Sequence, residues 1–444
     1  MEENRREEQN QQERREARRK RRIRNQIISY IVVTVLLIAA GTGVVYGVKN
    51  IMAEKQAQEA ARQSEQAVLD SLVNNEGEIT VPEPSSSTEP VVELTPEQKL
   101  DEIINEAVIG VMPLEDKVAG LFIVTPEAIT NVSAAVMAGE GTQKALSQYA
   151  VGGLIYFEKN IVSPEQFREM MSNTQLYTRY PLFLAVDEEG GRVARLSDNG
   201  IGTKVDAASV IGQQGVDNAY QSGVILGSNL SGAGLNLDLA PVADLKIGEE
   251  SYMGDRSFGS DPQVVGPVTA AVVQGIQSQG VSACLKHFPG MGSTTRDPHK
   301  EIAGTDRTEA QFRAEEFPVF QAGIDSGVKM VMISNIAAPA LSGNDLPCVF
   351  SEEVIGILRN EMGFEGVIIS DAMNMSAVSD YYDSAEASIM AIKAGCDMIL
   401  MPEDFEKAYN GVLEAVKNGT ISEERINDSL RRIYRIKYAN KIGQ

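Results

Sequence analysis

The chain has only two histidines, His287 and His299, and both lie in one stretch, Lys286-His287-Phe288-Pro289-Gly290-Met291-Gly292-Ser293-Thr294-Thr295-Arg296-Asp297-Pro298-His299. Histidine has the ordinary pKa nearest neutrality, so it moves protons at physiological pH more readily than other side chains. His299 is separated from Asp297 by Pro298, whose ring fixes one backbone angle and stiffens this tip. A neighbouring carboxylate orients an imidazole and favours its charged form, which suits a general acid that must later act as a base. Asp371 is a second candidate, at the end of the apolar run Val367-Ile368-Ile369-Ser370. A carboxylate there can act as a nucleophile or stabilise a cationic transition state. It can equally cap a following helix, and the residues alone leave both roles open.

Lys286, His287, Asp187, Arg195 and Arg256 could supply the short polar contacts that a polyhydroxylated ligand needs. A phosphate could also use Lys286, Arg195 and Arg256. The glycine pairs Gly152-Gly153 and Gly190-Gly191 make no dinucleotide fingerprint, and no phosphate-binding loop of the Walker type is present. Cys284, Cys348 and Cys396 lie far apart and read as buried thiols rather than a disulfide framework. No Cys/His cluster suggests zinc, and no cofactor is expected.

Eight strand-length apolar runs can position these groups: Leu121–Val124, Gly153–Phe157, Leu182–Val186, Leu235–Ala240, Ala283–His287, Met330–Ser334, Gly366–Ser370 and Met398–Met401. Most are continuously apolar, as parallel strands covered on both faces should be. Amphipathic stretches alternate with them, including 163–177, 262–279, 309–326, 352–362 and 385–394. The pattern predicts an α/β fold, a single TIM (β/α)8-type barrel, with an open doubly wound sheet as the competitor. Polar residues crowd the strand ends: Asp187-Glu188-Glu189, Asp244, Lys286-His287, Ser334-Asn335 and Asp371. In such barrels the chemistry lies at that rim.

Net charge is −22 but unevenly spread. Residues 1–26 carry ten Lys/Arg against six Glu, whereas 99–444 carry 27 Lys/Arg against 46 Asp/Glu. So acidic a main segment argues against a nucleic-acid partner. Residues 27–48 hold no charge over 22 positions, long enough to span a bilayer once. The preceding basic run places the N-terminus in the cytoplasm and the rest outside. An uncleaved signal anchor fits better than a cleaved signal peptide, because the apolar run is long and its small-residue site at Ala39-Ala40-Gly41 is weak. The expected order is a basic cytoplasmic segment (1–26), a transmembrane anchor (27–48), a helical then Pro/Ser/Glu-rich stalk (49–96) and a catalytic barrel (97–444). The barrel should open with a helix at Thr95-Pro96-Glu97.

Four motifs occur in order: Val186-Asp187-Glu188-Glu189-Gly190-Gly191-Arg192-Val193, Gly254-Asp255-Arg256-Ser257-Phe258, Lys286-His287-Phe288-Pro289-Gly290 with Asp297 and His299, and Ser370-Asp371-Ala372-Met373-Asn374-Met375. Together they resemble glycoside hydrolase family 3, in particular its bacterial β-N-acetylglucosaminidases, over about 97–444. The resemblance implies a retaining mechanism with Asp371 as nucleophile and His299 as general acid/base, polarised by Asp297 on a mobile loop. It implies sugar contacts from Asp187, Arg195, Arg256, Lys286 and His287. Most glycosidases use two carboxylates; this subgroup resembles an exception with histidine in the acid/base place. Two positions depart from the family pattern. Met291 replaces a histidine of the loop, and Pro298 replaces a Ser or Thr between Asp297 and His299. Only 73 residues follow Asp371, so the acid/base is expected from within the barrel. The expected function is removal of terminal N-acetylglucosamine from cell-wall (peptidoglycan-type) fragments or related glycans. A β-N-acetylglucosaminide phosphorylase and a catalytically silent sugar-binding wall protein are the alternatives.

Overall fold

All eight apolar runs form strands: β1 (Phe122–Val124), β2 (Gly153–Ile155), β3 (Phe183–Val186), β4 (Leu237–Asp238), β5 (Ser282–Phe288), β6 (Met330–Ile333), β7 (Val367–Ser370) and β8 (Ile399–Leu400). The structure is a computed structural model that describes residues 95–297 and 303–442. Every strand is buried along its whole length, which explains why the runs are continuous rather than alternating. Neighbouring strands pair in parallel from β1 through to β7, and β8 pairs with β1. The ring is completed by a parallel bridge between Ile369 and Met398, with the Ser370 N–H donating to the Met398 carbonyl at 3.0 Å. The barrel is therefore closed, and the open-sheet alternative is set aside.

Asp397 stabilises this closure from the N-terminal end of the strands. It is fully buried, and its carboxylate accepts from the Ile368 N–H (3.0 Å), Arg359 (2.7 Å), Ser429 (2.9 Å) and Arg432 (3.2 Å). One side chain thus joins β7 to the last helix, Glu423–Ile442. At the other end of the chain order, Thr95 begins the helix Pro96–Ile103 with a reciprocal capping box to Gln98. The anchor expected at 27–48, the segment 1–26 and the stalk up to residue 94 lie outside the described residues. Among the described residues, no helix is long and apolar enough to cross a membrane.

The predicted helices form with small shifts, as Pro164–Leu176, Pro262–Gln277 and Ser384–Ala394. Two others change winding partway: wider π-turns occupy Phe312–Glu316 and Ile357–Glu361. The three cysteines are buried and unpaired.

Lys437 is buried beneath the barrel, with Nζ donating to the Gly152 carbonyl at 2.8 Å and lying 4.8 Å from the Phe183 ring centre. Burial pushes its pKa down to about 7. The unfolded chain keeps a proton there up to about pH 10, so the folded state gains stability as pH rises from about 7. Urea denaturation at pH 7 and pH 9 checks this: Lys437→Met is expected to remove that part of the pH slope.

Candidate active site

The C-terminal strand ends converge on one mouth. Asp187 follows β3, Lys286 and His287 lie just before the end of β5, and Asp371 follows β7. Lys286 is almost fully buried, and its Nζ lies 2.6 Å from Asp187 Oδ1 and 2.7 Å from Glu189 Oε1. Glu189 is held on its other side by a bidentate pair with Arg256, both contacts at 2.8 Å. Burial alone would raise the Glu189 pKa, but Lys286 and Arg256 outweigh it and hold the carboxyl well below the usual range. Burial would likewise neutralise Lys286; Asp187 and Glu189 instead raise its pKa and keep it charged. Asp187, Lys286, Glu189 and Arg256 therefore form one chain of ion pairs along the mouth.

His287 belongs to a separate cluster. Its Nδ1 is 2.7 Å from Asp244 Oδ2, and the same carboxylate accepts the His287 N–H (3.2 Å) and the Met291 N–H (2.8 Å). Asp244 thereby fixes both the imidazole and the start of the loop that follows β5. Arg195 leaves the short antiparallel hairpin Glu188–Gly190/Val193–Ala194 and pairs with Glu158 from the loop after β2. Buried Glu188 anchors that hairpin by accepting the N–H groups of Leu196 (2.7 Å) and Ser197 (3.1 Å).

Asp371 is partly exposed. Its own N–H donates to the Ile333 carbonyl (2.8 Å) and its Oδ1 accepts the Ala372 N–H (2.7 Å). Among the described residues, Oδ2 has no hydrogen-bond partner. The next helix, Ser376–Ser379, is preceded by Met375, so Asp371 is not its cap. Cys284 on β5 is fully buried. Burial raises the thiol's pKa, Lys286 opposes the rise, and Asp187, Asp238 and Asp371 add to it.

His299 lies outside the described residues, as do Pro298 and the three residues that follow it. The two limbs of its loop are described. Ser293 and Thr305 meet across the base at 2.7 Å. The first limb pairs with the loop after β4, through Ile247 N–H to the Gly292 carbonyl (3.2 Å) and Tyr252 N–H to the Thr294 carbonyl (2.9 Å). Only glycine fits at 292, because a Cβ would lie 1.5 Å from the Leu245 carbonyl oxygen. The second limb bridges to Ala337 after β6, and Arg307 below it donates to Glu315 (2.6 Å) and Glu316 (2.9 Å). Buried Met291 packs into the hydrophobic core at the loop's root.

Sequence reasoning placed Glu189 and Asp244 at the rim without assigning them a role, and it missed Asp238 and Glu158. Asp238 had a signal: a carboxylate inside the apolar run of β4. It is fully buried, with Oδ1 accepting the Glu188 N–H (3.0 Å) and Oδ2 unpaired. Burial raises its pKa well above the ordinary value. Asp238→Asn is expected to leave the thermal midpoint at pH 7 nearly unchanged. Asp238→Ala, which strands the Glu188 N–H, should cost about 1–3 kcal/mol in denaturant unfolding.

The chain matches known proteins over this barrel. Residues 113–436 fit the glycosyl hydrolase family 3 N-terminal domain. A β-hexosaminidase of Nitrosomonas eutropha is 35% identical over 271 residues, 59% of this chain and 77% of the relative. Among solved structures, a family 3 β-N-acetylglucosaminidase from Paenibacillus superposes with a TM-score of 0.71 at 31% identity, over 75% of this chain and 64% of that protein. A β-N-acetylhexosaminidase of Beutenbergia cavernae superposes with a TM-score of 0.64 at 26% identity, over 73% of this chain and 98% of its own. This chain therefore belongs to glycosyl hydrolase family 3, and it is a glycosidase.

Proposed function

We propose that this protein is a retaining exo-β-N-acetylhexosaminidase that removes terminal N-acetylglucosamine from cell-wall fragments or related glycans. The observation that carries this reading is Asp371. It stands at the mouth with one carboxylate oxygen committed to the Ala372 N–H and the other without a hydrogen-bond partner among the described residues. A nucleophile needs that combination of fixed orientation and an open lone pair. Oδ2 attacks the anomeric carbon and the leaving oxygen takes a proton from His299; water, deprotonated by the same imidazole, then releases the sugar. Asp297 holds His299 in its working orientation. Asp187, Lys286, Glu189 and Arg256 form a charged rim whose paired groups can exchange hydrogen bonds with sugar hydroxyls. His287, fixed by Asp244, can offer Nε2 to the same ring.

Ion pairing favours hydrolysis over phosphorolysis. Lys286 is balanced by two carboxylates, Arg256 by Glu189, Arg195 by Glu158 and Arg192 by Asp255. A phosphate acceptor at any of these four side chains would compete with the carboxylate already paired to it. The reading includes an outward-facing barrel tethered to the membrane through residues 27–48, which rests on the uncharged run and the basic residues before it.

A chromogenic β-N-acetylglucosaminide tests the activity. The expected result is release of free N-acetylglucosamine at a rate independent of added phosphate. A sugar 1-phosphate product would mark a phosphorylase. Turnover no greater than that of Asp371→Asn would mark a silent binding protein.

A further inference from the structure

The N-terminal end of the barrel, away from the mouth, carries a cluster of cations that sugar hydrolysis does not use. Three arginines surround Asp397: Arg359 from the π-turn Ile357–Glu361, and Arg425 and Arg432 from the last helix. Their guanidinium nitrogens lie 2.7, 3.5 and 3.2 Å from its carboxylate. Asp397 is fully buried and also accepts from the Ile368 N–H and Ser429, so one negative charge answers three positive ones. The deficit is felt at Arg359. Burial lowers its pKa, Asp397 opposes the fall, and the charges of Arg432 and Arg425 add to it.

All three arginines are partly exposed and line one cavity of about 310 Å³ together with Lys393. Lys393 is exposed and has no ion pair among the described residues. Glu352 and Asp428 line the cavity too, but Asp428 is engaged by Arg431. Four cations against Asp397 and Glu352 leave a surplus of two positive charges, in a chain that is acidic as a whole. Donors remain as well as charge. Arg432 uses Nη1, toward Asp397 and the Asp428 carbonyl (3.3 Å), so its Nε and Nη2 have no hydrogen-bond partner among the described residues. Arg425 commits Nη1 to Ser429 and Nη2 to the Cys396 carbonyl (2.8 Å), which leaves Nε.

Guanidinium forks match oxyanions, and a tetrahedral oxyanion accepts from several directions at once. A double negative charge also matches the surplus. We propose that this cavity binds a phosphate dianion, free or as a phosphate monoester, between Arg359, Arg425, Arg432 and Lys393. The anion completes the neutralisation that Asp397 begins where β7, β8 and the last helix meet. The site is independent of Asp371, which follows the opposite end of β7.

Equilibrium dialysis of the full-length protein in detergent against radiolabelled inorganic phosphate tests this, with ionic strength held constant in chloride to separate a site from general screening. The expected result is saturable binding of one phosphate per chain. Lys393→Glu reverses a charge at an exposed side chain and is expected to weaken binding about tenfold. Arg432→Gln should weaken it by about the same factor. Circular dichroism checks that each variant folds; should Arg432→Gln unfold, Lys393→Glu decides alone. Glycerol phosphate as competitor separates the two sources: displacing the label better than unlabelled phosphate assigns a monoester, and displacing it less well assigns the free ion. Absence of saturable binding would overturn the proposal. So would unchanged binding in a folded variant, because the anion would then lie elsewhere, the mouth included.

Discussion

Asp371→Asn is expected to lower kcat/KM for a β-N-acetylglucosaminide by roughly 10³–10⁵-fold while leaving the fold intact. The amide oxygen can still accept the Ala372 N–H, so the 2.7 Å contact survives. The strand is held independently, by the Asp371 N–H to the Ile333 carbonyl and by Ser370 Oγ accepting the Leu400 N–H at 2.9 Å. What disappears is the carboxylate that the proposed mechanism uses for attack through Oδ2. Glu189 offers no equivalent open oxygen, because Lys286 and Arg256 engage both of its oxygens. Thermal melting within a few degrees of wild type, together with lost turnover, gives the expected pattern. Lost turnover with lost folding would instead indicate that Asp371 is structural.

Lys286→Met should have the largest effect on stability. The side chains are similar in length, but the ammonium joins Asp187 and Glu189 in a place where Lys286 is 2% exposed and Glu189 is 9% exposed. Removing it leaves two carboxylates facing each other with Arg256 as their remaining cation. Breaking a buried pair in this way costs about 3–5 kcal/mol. The pH window has a definite sign. The Glu189 pKa is depressed from its ordinary 4.5, so its contribution is present above that value and lost in acid. The Lys286 pKa is raised from its ordinary 10.5, so its contribution is present below that value and lost in alkali. The wild-type advantage over Lys286→Met is therefore full between about pH 5 and 10 and shrinks outside that range. Denaturant unfolding at pH 3.5, 7 and 10.5 measures it, and KM should rise in the variant as Asp187 and Glu189 lose their orientation.

The strands were legible because burial on both faces leaves a continuous apolar run, and parallel strands in a closed barrel have that environment. Their ends were legible for the same reason: polarity returns abruptly at Asp187, Lys286 and Asp371. The helix Val216–Ala233 was less so, because Gly223 and Gly227 depress intrinsic helix propensity. The structure gives those glycines a packing purpose. A Cβ at Gly223 would lie 2.4 Å from the Val272 carbonyl oxygen, so they let this helix approach Pro262–Gln277 closely. The residues that meet at the mouth could be named from the sequence one by one, but their pairings could not. That Glu189 joins Lys286 to Arg256, or that Asp244 fixes His287, depends on side chains from different strands meeting at one mouth. No local spacing encodes such a meeting.

The most direct measurement is mass spectrometry of the protein after reaction with a fluorinated N-acetylglucosamine-type probe that slows hydrolysis of the glycosyl-enzyme. The expected result is one added sugar per chain, on the peptide that contains Asp371, and no adduct in Asp371→Asn. A covalent sugar on any other residue, or steady turnover of the probe by Asp371→Asn, would contradict the assignment of Asp371 as the nucleophile.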